Sequence, residues 1–199
     1  EVFGEDFLSY AMSLTAAASD ARMAGCTLAA MSNSGSGNQG ITVTMPVIAY
    51  SLRYGTSDKE LARALVLSHL IAIHIKGYLG KLSALCGCVI ASTGAACGLV
   101  YLRGGDYNQV CSAIKNMIGN ITGMVCDGAK PSCALKVSSG VSTAVLSAML
   151  AIQGKYVTNV EGLIEDDVDR CIRNLTLVGA KGMQETDRMV LDIMTHKRS

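Results

Sequence analysis

"LSALCGCVIASTGAACGLVYL" (82–102) runs for 21 residues without a charge, and what this segment is decides the fold. Its length would suffice to cross a bilayer. Ser, Thr, Cys and Gly dilute its apolar character, however, and the segment before it holds His69, His74 and Lys76 among its apolar residues. A long, weakly apolar run of this kind reads as a buried core helix, with no membrane implied.

Working outward, the neighbouring segments carry helix signals. "SDKE" (57–60) is a capping box set before "LARALVLSHLIAIHIK". Asp106 caps "YNQVCSAIKNMIGNITGMV", in which Val110, Ile114, Met117, Ile118 and Ile121 keep helical spacing. A Met-, Leu- and Ala-rich helix is expected over 5–24, stopped by Gly25, and another long apolar helix, with Lys136 its one charge, over 132–153. For 41–54, "ITVTM" would suit a strand, but a helix entered through Pro46 is preferred. Beyond "GKYVTNVEG" the charges gather in "EDDVDRCIRN" and "QETDRMVLDIMTHKRS", which read as solvated outer helices. The expectation is an all-α fold: a compact bundle of long, small-residue-rich buried helices with more polar C-terminal helices outside, forming a single domain over 1–199.

Composition supports that picture. Half the residues are apolar, 17% are charged, Trp is absent and only two Phe occur, so the core is built from small and aliphatic side chains. The 21 glycines let helix backbones approach closely. A net charge of +1 without a basic run points away from nucleic acid. The chain opens on "EVFGEDF", with neither Met nor a signal-peptide pattern, and is read as the C-terminal part of a longer protein. Eight cysteines could pair, but a chain of this size needs no staples and shows no secretory context, so reduced thiols in a cytoplasmic protein are expected.

Two stretches could carry chemistry. "GSGNQG" (35–40) matches a dinucleotide fingerprint in letters only, because it follows a helical segment rather than a strand. Backbone N–H groups at a loop-to-helix start suit a small anion, and Asn33, Ser34, Ser36, Asn38 and Gln39 add neutral hydrogen-bonding groups. A plain turn is the alternative. The second stretch is "VCDGAKPSC" (125–133): Asp-Gly and Pro break the helix, so that Cys126 and Cys133 can point at a common centre. Cys86 or Cys88 could join them; on a helix these two would point about 200° apart, so only one would reach. Cys97, Cys111 and Cys171 sit in apolar helical contexts as packing residues, and Cys26 is ambiguous.

"CGCVIASTGAACG", "CSAIKNMIGNITGMVCDGAKPSCALK" and, upstream, "SNSGSGNQGITVTMPV" together resemble the catalytic alpha-chain family of iron–sulfur L-serine dehydratases. The similarity is greatest to the branch that contains L-cysteine desulfidases. It spans nearly the whole chain, although members of the family are about twice as long.

The resemblance implies a [4Fe-4S] cluster with one open iron site, held by Cys86, Cys126 and Cys133, with Cys88 the less favoured third ligand. It implies β-elimination from a small amino acid, from cysteine to pyruvate, ammonia and sulfide or from serine to pyruvate and ammonia, with no pyridoxal phosphate. The substrate carboxylate would meet Asn33, Ser34, Ser36, Asn38 and Gln39. The base would lie upstream, in the absent N-terminal part of the same protein, with His74 a weak candidate against the reading of a packed core histidine. Lys76 and Lys136 could reach the cluster surroundings. Association between copies of the chain stays open. A protein of another class, holding a small carboxylate in the glycine loop without a cluster, is the alternative.

Overall fold

The computed structural model describes residues 4–80 and 83–197. Its helices are α1 (Phe7–Met23), α2 (Gly37–Tyr54), α3 (Asp58–Leu79), α4 (Gly87–Leu102), α5 (Tyr107–Ile121), α6 (Cys133–Ile152), α7 (Val168–Leu177) and α8 (Gln184–Thr195), with a wide π turn at Val178–Gly182 between the last two. Among the described residues the only β pairing is two isolated bridges.

The uncharged run is the axis of the molecule. α4 is surrounded by α2, α3, α5 and α6, and 13 of its 16 residues are buried. At ~24 Å it is too short to cross a bilayer. Small residues set its distance from α3. A Cβ on Gly94 would stand 2.3 Å from the Ser68 carbonyl, and one on Gly98 would stand 3.1 Å from that of Ala64. α6 alone among the described helices is long and apolar enough to span a membrane, and half of it is buried in this fold.

Helix ends follow local chemistry where a cap is present. Ser57 and Glu60 close a reciprocal capping box on α3, Asp106 and Gln109 do the same on α5, and Asp6 and Asp167 cap α1 and α7. α7 presents Cys171, Ile172 and Leu175 to the core, whereas α8 buries no residue and rests on the π turn.

Two boundaries differ from those read in the sequence. α2 begins at Gly37 rather than near Pro46, because the Ser36 hydroxyl caps it through the Gln39 N–H at 3.3 Å. Pro46 therefore lies inside a helix, where it removes one rung of the hydrogen-bond ladder. α4 begins at Gly87, not 82. Residues 81–82 lie outside the described residues, and Ala84–Cys86 is held extended by a bridge between Leu85 and Val125.

Candidate functional site

The glycine stretch folds as a tight turn into a helix start. Asn33 and Ser36 exchange backbone hydrogen bonds of 3.1 and 3.0 Å across Ser34 and Gly35, whose φ values are 51° and 83°. Two successive left-handed residues explain a glycine at the second position. Asn33 is buried and turned inward, its amide nitrogen donating to His69 Nδ1 at 3.2 Å and to the His69 carbonyl at 3.3 Å. The other ring nitrogen of His69 lies 3.0 Å from Thr44 Oγ1. Ser34 donates to the Asn33 side chain, while Arg22 donates to Asn38 Oδ1 at 3.2 Å.

The cysteine loop is set by the same bridge that delays α4. Cys86 N–H donates to the Met124 carbonyl at 2.9 Å, and Cys126 N–H to that of Ala84 at 2.7 Å. Two antiparallel extended strips thus carry Cys86 and Cys126 side by side. Gly128 takes φ 91° to turn the chain, and Pro131-Ser132 leads into α6, whose first residue is Cys133. The Asp127 carboxylate, near the turn, pairs with both Lys130 and Lys136, and Lys136 also donates to the Val125 carbonyl at 2.8 Å.

These pieces meet at one cavity of about 260 Å³. Its lining includes Ser36, Asn38 and Gln39 from the start of α2, Cys86 and Cys88 from the start of α4, and Cys133 and Lys136 from the start of α6, together with Cys126 and Lys76. Three helix N-termini therefore converge, each carrying about half a positive charge from its unpaired amides. Neither Cys86 at the head of α4 nor Ser132 at the head of α6 caps its helix with its side chain.

The thiols differ in character. Hydrogen bonding from Cys86 pulls the Cys126 thiol well below the usual range against the cost of burial, helped by the Gly128 N–H and the Lys136 charge. Cys86, as the donor of that pair and itself buried, is pushed up. Burial pushes Cys88 up to about 12, and its Sγ donates to the Lys136 carbonyl at 3.1 Å.

Of the residues singled out in the sequence, Cys86, Cys126, Cys133, Ser36, Asn38 and Gln39 share this lining, whereas Asn33 and Ser34 stand outside it. His74 also stands outside it, paired with Asp169 at 2.9 Å on an exposed face. The 200° separation expected of Cys86 and Cys88 on one helix does not apply, because Cys86 precedes the helix, and both residues line the cavity. Lys76 also lines the cavity, one turn before the Gly80 stop; nothing in its sequence surroundings marks which way it faces. Cys97 and Cys171 are fully buried in the core, Cys26 is exposed, and all eight cysteines are free. A larger apolar cavity of about 550 Å³, lined by Phe7, Tyr50, Leu99 and Met149, lies at the far ends of α2, α4 and α6 and holds no thiol.

A model of the family described as serine dehydratase alpha chain matches residues 2–192. The chain belongs to that family. A protein of Bacteroides thetaiotaomicron named "UPF0597 protein" is 61% identical over 197 residues, 99% of this chain and 46% of its own length. Relatives of the same name from Phocaeicola vulgatus and Oleidesulfovibrio alaskensis are 62% and 57% identical, again over 46% of their length. The chain thus spans about half the length of these curated relatives. No solved structure matches it.

Among the described residues, no three His, Cys, Asp or Glu side chains are grouped so as to hold a single metal ion. The thiols ring a cavity instead of converging on one point, as a mononuclear site with ligands at about 2.3 Å would require. That arrangement fits a polynuclear group ligated by the thiolates, the negative charge of the whole assembly being met by the helix N-termini and two lysines around it.

Proposed function

We propose that this chain is the cluster-bearing part of a β-eliminating amino-acid lyase of the cysteine desulfidase kind, with Cys86, Cys126 and Cys133 holding a [4Fe-4S] cluster. One observation carries the reading: three helix N-termini, the extended strip of Cys126 and the last turn of α3 bring these thiols, the glycine-loop residues and two lysines to a single cavity. The bound cluster would supply an open Lewis-acid iron that polarises the leaving group on the substrate's β-carbon.

The chain's own groups have separable tasks. Cys126 is already biased toward thiolate, the form that ligates iron. Lys136 braces the loop through Val125 and Asp127, which fixes Cys126 relative to Cys133. Ser36 caps α2 by taking up the Gln39 N–H and so fixes the start of that helix at the cavity wall. The Cα proton needs a positioned base, and that base is assigned to the remaining part of the protein. The family's description favours a second reading, loss of water from serine, since the two substrates share carboxylate, amine and carbon frame.

Anaerobic purification tests the cluster: a brown protein with about four irons and four sulfides per chain is expected. Cys126→Ala or Cys133→Ala should abolish iron binding, whereas Cys97→Ala should keep it and cost only about 1 kcal/mol of packing stability. Colourless protein that takes up no iron under reducing conditions overturns the lyase reading and leaves a carboxylate-binding protein. Parallel assays of pyruvate release from cysteine and serine by full-length protein separate the two substrates.

A further inference from the structure

Two lysines line the cavity, and they are not equivalent. Lys136 is occupied, bound to the Val125 carbonyl and the Asp127 carboxylate. Lys76 projects from the last turn of α3 and, among the described residues, has neither an ion-pair partner nor a side-chain hydrogen bond. The described lining contains no carboxylate to take that partner's place, only thiols, amides and hydroxyls.

A second group in the lining is also unpaired. Gln39 is 8% exposed, and its Oε1 is buried without a hydrogen-bond partner. Its amide lies flat on the start of α4, since a Cβ on Gly87 would come within 2.8 Å of it. A covered acceptor without a donor is unfavourable until one arrives. The cavity lining therefore combines an unpaired cation, a side-chain amide whose covered oxygen has no partner and can turn toward a donor, and the first-turn Asn38 N–H of α2. Those are the complements of a zwitterion: carboxylate to lysine and N–H, ammonium to the amide oxygen.

We propose that Lys76 is the carboxylate anchor of this cavity, holding the α-carboxylate of a small amino acid against the first turn of α2 while Gln39 Oε1 accepts from the α-ammonium. The assignment rests on the reading of the cavity as an amino-acid site and adds a residue to it. A bound carboxylate would give the half-buried Lys76 ammonium the counter-charge that the lining does not supply. Cluster ligation and carboxylate binding then fall to different residues and can be lost separately.

Calorimetric titration of the chain with L-serine, L-lactate and L-serinamide tests this. L-Lactate keeps the carboxylate without the ammonium, and L-serinamide the reverse. Lys76→Met is expected to weaken both acids by about tenfold or more and to leave the weak binding of L-serinamide unchanged. Lys76→Arg, which keeps the charge, should retain most of the affinity for both acids.

The proposal is overturned if Lys76→Met, with an unaltered melting curve, binds the acids like the parent, if all three probes weaken equally, or if the parent binds neither acid. Iron and sulfide content measured on the same samples keeps the two readings apart. Lys76-dependent acid binding by a protein that takes up no iron sinks the lyase reading and supports the anchor. Full iron content with acid binding indifferent to Lys76 does the opposite.

Discussion

Cys86 and Cys126 stand on adjacent extended strips, and the pair shares its protons unequally. The neighbouring Cys126 and burial push the Cys86 thiol up, whereas Cys126 is tipped toward thiolate by its coupling to Cys86 with further help from the Gly128 N–H and Lys136. Alkylation rates follow thiolate fraction and access. In iron-free protein at neutral pH, limiting iodoacetamide should therefore label half-buried Cys126 well ahead of Cys86, Cys88 and Cys97, each of which is buried and shifted upward. Peptide mapping by mass spectrometry reads the order directly. Lys136→Met should slow labelling of Cys126, since it removes a cation that favours the thiolate; labelling of Cys97 at the same rate as Cys126 would refute the assignment. After iron loading the site should resist the reagent if Cys126 is a ligand.

At the level of the helix, the same residue type has opposite roles on two adjoining elements. A Cβ at Gly94 of α4 would press on the Ser68 backbone at 2.3 Å, whereas one at Gly77 of α3 would meet nothing within 4 Å. Gly94→Ala should cost about 1–3 kcal/mol by forcing α3 away. Gly77→Ala should add about 0.5–1 kcal/mol, because alanine loses less entropy in a helix. For a chain of this size each kcal/mol moves the melting temperature by about 2–4 °C, so thermal melts of the two variants should bracket the parent; a Gly94→Ala melt equal to the parent's would refute the close α3–α4 packing. The burial of α4 was legible in its lack of charge, and the starts of α3 and α5 in their capping boxes, because those signals are local. The start of α4 was not legible: 83–86 are as small and apolar as the helix that follows, and a bridge to Val125, 40 residues on, decides their conformation. Hence Cys86 and Cys88 looked mutually exclusive in sequence yet share a cavity. Pro46 hid the true start of α2 for a related reason, since a proline suggests a helix beginning and the Ser36 cap lay inside a stretch that reads as loop. Lys76 and Gln39 matter through what they lack in the fold, and an unpaired group has no sequence signature.

Across the whole molecule, the acid side of the stability profile should fall in two stages. His69 sits between Asn33 and Thr44, with Asn33 donating to Nδ1, and burial lowers its pKa from the ordinary 6.5. Below about pH 6.5 the unfolded chain takes up the proton that the folded ring resists, so stability declines as pH drops toward the folded value. A protonated ring would also set an N–H against the Asn33 donor, loosening the glycine turn from α3. The second stage belongs to four carboxylates held below their ordinary values: Asp127, brought down to about 2 by Lys130 and Lys136, Asp6 by the Ser9 N–H, Glu60 by Ser57 and Glu161 by the Thr158 N–H. Their contribution is complete above about pH 4.5 and is lost as pH falls through their folded values. In a Cys126→Ser background, which removes the slope that the lowered Cys126 thiol adds above about pH 6, melting temperature against pH should be flat near neutrality, bend below about 6.5 and bend again below about 4.5. His69→Gln should remove the first bend and keep the second, and Glu60→Gln should shrink the second and keep the first. A His69→Gln profile with the first bend intact would show that the latch between the glycine turn and α3 does not titrate.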